Sequence, residues 1–340
     1  MKTAVHITID TESAMAGAWD DPQRRPLPAS RHIFCENESG AFGVPLIMTE
    51  LRRYGFAATF FCETLAGRVL GQADTRCVVE ALQAGGQDVQ LHLHPVYWHY
   101  SRRSECPEAD RRRYRASGSD LLGEHSTEEQ AALLEEATDL FEASVGRPPT
   151  VFRAGNFAVS RITLGLLAKK GFVIDSSFNA ANDEELSLAD EPPAPNTVQN
   201  IEGVWELPIT VARSRIREGN GYKPFDPVAL SVREMESILE AAHASSMPHV
   251  TVVFHCFSLV KPRDMSYTEF RPNRVVIARL RALLGFLDAN RSRFTVQTLG
   301  ELAARVDSIH GTTSAVIPDL GFWRPAARKA VQAVNALYWT

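Results

Sequence analysis

Seven polar side chains stand where apolar runs of this sequence stop. Asp10 and Glu12 follow Val5, Ile7 and Ile9; His92 and His94 flank Leu93; Arg153 follows Val151 and Phe152; Asp175 follows Val173 and Ile174; His255 follows Val252, Val253 and Phe254. One residue separates His92 from His94, so an extended strand projects both imidazoles to one side. Together with a carboxylate they form a two-histidine, one-carboxylate set. That set suits Zn²⁺ or another divalent transition ion and leaves positions for water and substrate. Such an ion brings the pKa of bound water toward neutrality and polarises a carbonyl oxygen.

Hydrolysis of an amide further needs a base for the attacking water and an acid for the departing amine. Asp10 is the candidate base and His255 the candidate acid. Arg153 is suited to keep Asp10 ionised and oriented, and Asp175 either orients His255 or pairs with Arg153. Each residue also has a plainer role: Asp10 and Glu12 as caps or ion pairs of the next loop, the histidines as a polar strand-end pocket. A shared site accounts for all of them at once.

These side chains need a scaffold that gathers several strand ends. Residues 3–9, 57–62, 88–94, 150–153, 172–175, 204–209, 249–255 and 294–297 are short apolar, β-branched runs with polar or turn residues around them, as in buried strands. Between them, residues 44–54, 75–82, 126–145, 162–170, 231–245, 272–290 and 299–306 have helical spacing. Ser126 starts its helix with a capping box completed by Glu129. Three stretches read as loops: 11–39, which begins on the carboxylates; 97–124, aromatic and then densely charged; and 179–199.

Strand and helix in alternation imply a parallel sheet, and so many units predict a single-domain α/β fold of the (β/α) barrel type. Strand ends converge on one face of such a barrel. A doubly wound open sheet is the alternative, weakened because no glycine-rich or Walker nucleotide motif follows a strand. Residues 1–308 make up the expected barrel and 309–340 a tail helix packed on it. Arg324, Arg328 and Lys329 leave surface attachment of that helix open.

The 340 residues carry 36 basic and 41 acidic side chains, and the net charge of −5 gives no general attraction to nucleic acid. Arg111, Arg112, Arg113 and Arg115 read as a solvated face or, alternatively, as recognition of an anionic substrate. Cys35, Cys62, Cys77, Cys106 and Cys256 are odd in number and lack a C-x-x-C spacing. A disulfide framework or a thiolate zinc site is therefore not expected, and a reducing compartment is. The first residues lead into a strand without the basic and apolar regions of a secretory signal, and no apolar run approaches ~18 residues. A cytoplasmic protein without stable membrane insertion is expected.

Taken in order, Thr8-Ile9-Asp10-Thr11-Glu12, Asp88-Val89-Gln90-Leu91-His92-Leu93-His94-Pro95, Phe152-Arg153-Ala154-Gly155-Asn156-Phe157, Asp175-Ser176-Ser177 and Val252-Val253-Phe254-His255 resemble the motifs of a known family. It is that of the polysaccharide deacetylases of carbohydrate esterase family 4, which share the NodB homology domain. The resemblance runs over about residues 5–300. It implies a distorted (β/α)₇ barrel that removes acetyl, or occasionally formyl, groups from amino sugars with a bound divalent metal. It further implies Asp10 as base, His255 as acid, Arg153 as the arginine that orients the base and Asp175 as the fourth-motif acid.

Two positions depart from the family pattern. Thr11 stands where a second, metal-binding aspartate is common, so Glu12 takes that role. The second histidine, His94, follows the first at a shortened spacing; Val96 holds its usual position and His99 is in reserve. Without a secretory signal, the implied substrate is an amino sugar or glycan precursor made inside the cell. Similar deacetylase-like proteins serve lipopolysaccharide and capsule biosynthesis. Tyr97, Trp98, Asn156 and Phe157 are the candidate sugar contacts, with Trp19 and Tyr100 as further rings that stack on a sugar or simply pack the loops. The alternative functions are an amidohydrolase for a small non-sugar amide, as in allantoinase-like relatives, and a non-catalytic glycan-binding barrel.

Overall fold

Residues 3–11 are apolar or β-branched at nearly every position, a composition suited to a strand covered on both faces. In the computed structural model, which describes residues 2–103, 120–182, 193–215, 219–312, 316–321, 325, 328, 329, 332 and 335, they form strand β1 (Thr3–Thr11). The other strands of the principal sheet are β2 (Thr59–Glu63), β3 (Asp88–Leu93), β4 (Val151–Ala154), β5 (Ile174–Asp175), β6 (Gln199–Ile201), β7 (Val204–Glu206), β8 (His249–His255) and β9 (Phe294–Val296). Their order is β8-β1-β2-β3-β4-β5-β7-β6, with β9 on the first residues of β1. Every pairing is parallel except β6 with β7.

Helices alternate with these strands: α1 (Val44–Arg52), α2 (Gln72–Ala84), α3 (Pro95–Arg102), α4 (Thr127–Val145), α5 (Arg161–Lys169), α6 (Val232–Ala244), α7 (Arg274–Ala289) and α8 (Leu299–Ala303). The Ser126–Glu129 capping box opens α4, and Gly146 closes it at φ +83°, a left-handed position that glycine fills without strain. After β7 the chain curls round to the free edge of β8. There Thr210 N donates to Thr251 O at 3.1 Å and Val253 N to Phe225 O at 3.0 Å. These bonds cover an edge that a curled sheet would leave open, and the result is a barrel of the (β/α) type that the alternation predicts, distorted as the resemblance implies.

All three expected loops are partly regular: residues 11–39 include a helical turn at Ala29–His32 and a short strand at Glu36–Asn37. Residues 95–102 form α3 because Pro95, at the first turn, has its φ preset and no N–H to satisfy. Gln199 opens β6, which doubles back on β7. The remainder of the charged excursion, residues 104–119 with Cys106 and Arg111 to Arg115, lies outside the described residues, as do residues 183–192. Much of the expected tail helix lies outside them too. Of its described residues, Arg328 is buried and pairs with Glu234 at 3.2 Å. Among the described residues no helix is long and apolar enough to cross a membrane.

At the amino ends of β1 and β8, His6 Nδ1 donates to Gln297 O at 2.9 Å, which leaves its Nε2 to accept from His249 Nδ1 at 3.0 Å. Burial, together with His249, holds His6 down to about 3, and burial holds His249 at about 4. In the unfolded chain both take up a proton near 6.5. As pH falls from 6.5 toward 4 the unfolded state therefore binds more protons, and the folded state loses up to about 1.4 kcal/mol per pH unit for each histidine. The urea midpoint of unfolding should fall steeply between pH 6.5 and 4.5, and less steeply in His249→Gln. Equal slopes for both proteins would contradict the assignment.

Candidate active site

Strand register assembles the site. Asp10 lies beside His255 of β8, and His92 beside Glu63 of β2 and Arg153 of β4. Alternation along β1 sends Asp10 and Glu12 to the same side. Glu12 Oε2 lies 3.0 Å from His92 Nε2 and 2.6 Å from His94 Nε2. One donor atom from each of Glu12, His92 and His94 falls within 4.8 Å of the others.

Both rings are anchored through the opposite nitrogen. His92 Nδ1 donates to Arg153 O at 2.9 Å, and His94 Nδ1 to Asp120 Oδ2 at 2.7 Å. Anchoring Nδ1 in this way fixes ring and tautomer so that Nε2 points at a metal, the usual arrangement around metal-binding histidines. The electrostatics agree. Burial pushes Glu12 up, but His94 and His92 outweigh it and hold the carboxyl well below its ordinary value. Burial also opposes charge on His94, yet Asp120 and Glu12 hold that imidazole well above its ordinary value. Two carboxylates thus converge on one imidazole, and a divalent cation between Glu12 and the two Nε2 atoms satisfies the same field. The residues fit the metal that the resemblance implies.

Sequence reasoning missed three contributors. Asp120 also accepts from Val96 N and from Asn156 Nδ2, both at 2.9 Å. No local pattern marks it. Gly155 did leave a signal, since a glycine directly after a strand often marks close approach. A Cβ there would lie 2.4 Å from His94 Nδ1, so any larger residue would displace the ring. Glu63 ends β2 one residue beyond the predicted strand. Its carboxyl accepts from His94 N and, at 2.6 Å, from Leu65 N, and burial pushes it up to about 8.

On the other side of Glu12, Arg153 Nη1 donates to Asp10 Oδ1 at 2.7 Å. The guanidinium is fully buried, stacks 4.2 Å from the Phe61 ring centroid, and donates to Thr8 Oγ1, Ser176 O and Ser176 Oγ at 2.8–3.0 Å. Held at five points, it fixes one oxygen of Asp10 and leaves the other toward the mouth. His255 Nε2 stands 3.9 Å from Asp10 Oδ2 and 3.9 Å from Glu12 Oε1. Its side chain is 33% exposed, against 3% for Asp10.

Asp175 takes neither of the roles expected for it. Register sets it beside Phe152, one residue from Arg153 and hence on the opposite face of the sheet. It accepts from Ser177 Oγ at 2.7 Å and faces Glu206 of β7. Burial and the nearby Asp175 hold Glu206 well above the usual carboxylate range, and its Oε1 accepts from Phe178 N at 3.1 Å.

The candidate sugar contacts separate, because consecutive helical residues diverge by about 100°. Tyr97 is buried, and burial followed by the nearby Glu63, Glu12 and Asp120 raises its phenol well above the ordinary value. Trp98 turns away, its Nε1 donating to Glu136 at 3.0 Å under the Arg102 guanidinium. Asn156 and Phe157 both hold left-handed backbone beside Asp120, at φ +54° and +60°. Trp19 packs edge-on against Tyr100 at 5.4 Å. His99, the reserve ligand, is buried with its Nε2 2.7 Å from His125 Nε2.

No protein-family model matches the sequence, and no curated protein is similar to it. Solved structures are. A protein from Mycobacterium smegmatis described as a polysaccharide deacetylase aligns over 93% of this chain and 95% of its own, at 17% identity and a TM-score of 0.53. One from Pseudomonas aeruginosa PAO1, similarly described, covers 91% and 92% at 13% identity and a TM-score of 0.49. A family 4 carbohydrate esterase from Streptomyces lividans, solved with acetate, covers 93% and 98% at 12% identity and a TM-score of 0.44. Strand order, the curled parallel sheet and the first of these alignments agree that the chain has the NodB-type fold of the polysaccharide deacetylases.

Proposed function

We propose that this protein is a metal-dependent hydrolase that removes an N-acetyl, or a formyl, group from an amino sugar or glycan precursor. The observation that carries the reading is one carboxylate clamped by a buried arginine, beside a Glu-His-His cluster, with a partly exposed histidine facing both. Glu12, His92 and His94 would hold a divalent ion, best matched by Zn²⁺, which when bound polarises the amide carbonyl and acidifies water.

Asp10 takes a proton from the attacking water as its oxygen bonds to the acyl carbon. Arg153 keeps the carboxylate in place and, being unable to give up a proton itself, never competes for that role. His255 delivers a proton to the amide nitrogen as the C–N bond breaks, releasing acetate and a free amine. Asp10 and His255 flank Glu12 on the same rim, so both proton transfers occur at one acyl centre.

The four cysteines among the described residues, Cys35, Cys62, Cys77 and Cys256, are unpaired. They support a reducing compartment and a cytoplasmic precursor, such as one for lipopolysaccharide or capsule. Acetate release from N-acetyl amino sugars, lipid-linked glycans and nucleotide sugars, with and without Zn²⁺ or Co²⁺, tests the reading. No release from any of them, combined with no metal retained after reconstitution, overturns it.

A further inference from the structure

Glu12 lies one residue beyond β1, outside the ladder that holds the strand. Pairing with β8 ends at Asp10 opposite His255, and pairing with β2 ends at Thr11 opposite Cys62. The Glu12 carbonyl is held instead by side chains from other segments. His32, 20 residues further on, donates from Nδ1 to Glu12 O at 2.8 Å, and Cys256 Sγ donates to the same oxygen at 3.7 Å. A carbonyl oxygen only accepts, so the hydrogen of His32 is assigned to Nδ1.

The ring that makes this bond is itself fixed. His32 ends the helical turn Ala29–His32, whose first amide, Ala29 N, donates to both carboxylate oxygens of Asp74 in α2 at 3.1 Å. The His32 carbonyl accepts from Cys35 Sγ at 3.2 Å. Phe257 tilts against the buried imidazole at 4.4 Å, and Tyr267 meets it edge-on at 4.7 Å. Tyr267 holds left-handed backbone at φ +51°, a conformation that persists only where the surroundings impose it. Phe257 also packs on His255 at 5.1 Å, so the same ring stack borders the proposed acid.

Between two aromatic rings a phenylalanine would pack as well as a histidine. What the imidazole adds, among the described residues, is a donor aimed at Glu12 O. A ligand on backbone that is free to move has to be ordered at each binding event, which costs affinity, and fixing that backbone beforehand removes the cost. Glu12 Oε2 already stands 3.0 and 2.6 Å from the two Nε2 atoms of His92 and His94.

We infer that His32 is a positioning residue for the metal site: by holding the carbonyl of Glu12 it presets that carboxylate for the ion, acting through Glu12 and not as a ligand. The inference rests on the metal-dependent deacetylase reading, and the experiment separates the two. Zn²⁺ affinity of the parent, His32→Phe, His32→Asn and His32→Ala is measured by competition against a chelating dye. The Co²⁺ absorption spectrum reports ligand geometry, and urea unfolding of the metal-free proteins reports packing. Phenylalanine keeps the ring without the donor. Asparagine loses the ring and sets its amide N–H where Nδ1–H stood. Alanine loses both.

Zn²⁺ affinity should fall about tenfold in His32→Phe and His32→Ala, and stay within about threefold of the parent in His32→Asn, since groups that orient ligands are worth about 10–100-fold. The Co²⁺ spectrum of His32→Asn should match the parent, although that variant unfolds in less urea than His32→Phe. Affinity that follows stability, with His32→Phe binding more tightly than His32→Asn, overturns the assignment. Should His32→Phe fail to fold, the asparagine and alanine variants decide alone, being matched in lost packing, and equal affinities overturn it. If the parent releases acetate and all variants bind metal alike, His32 is excluded and the deacetylase reading stands. The expected order of affinities without acetate release from any sugar upholds His32 and sinks the catalytic reading. A parent that retains no metal overturns both.

Discussion

Asp10→Asn should lower kcat for acetate release by about 10²–10⁴-fold, the usual contribution of a positioned general base, with the bound metal retained. The amide is isosteric with the carboxylate, and its oxygen still accepts from Arg153 Nη1, which lies 2.7 Å from Asp10 Oδ1. What it loses is the capacity to take a proton. The variant also leaves a fully buried guanidinium without its counter-charge. Breaking such a pair typically costs about 3–5 kcal/mol, and here less, because Thr8 and Ser176 go on accepting from the same group. Urea unfolding run beside the kinetics separates the two effects. A folded variant that keeps kcat within tenfold of the parent would remove Asp10 from the mechanism.

Glu12→Ala and His94→Ala should each abolish retention of the metal, about one ion per chain for a site with three protein ligands. The carboxylate is shared by both imidazoles, at 3.0 and 2.6 Å, so its loss removes the charge that draws a cation to the two Nε2 atoms. Two further variants test the arrangement around the ligands. Asp120→Asn keeps the shape but weakens the acceptor for His94 Nδ1, and metal affinity should fall by about 10–100-fold. His99→Ala should leave affinity unchanged, since that ring faces His125. Competition against a chelating dye reads all four. Undiminished retention by Glu12→Ala would place the metal elsewhere.

The legible parts of this protein are those encoded locally. An apolar run that stops on a charged residue marks a strand end, so Asp10, His92, Arg153 and His255 were identifiable one by one. The Ser126–Glu129 box carried its helix start in four residues. Where local signals conflict, no pattern decides the element: residues 97–102 are aromatic and charged, yet Pro95 starts a helix through them. Glu63 was lost to a strand boundary misplaced by a single residue.

The sequence by itself determined the side-chain chemistry, the strand–helix alternation and, from the two-residue period of an extended chain, that His92 and His94 share a side, as do Asp10 and Glu12. Only the tertiary structure decided which partners those groups meet. Register turned Asp175 toward Glu206 and away from Arg153. Chain packing carried Asp120 to His94 across 26 residues, and Gly155 made room for that ring. The physical reason is common to all three: periodicity fixes the direction of a side chain relative to its own strand, whereas hydrogen-bond partners depend on contacts between segments far apart in the chain, which no local pattern records.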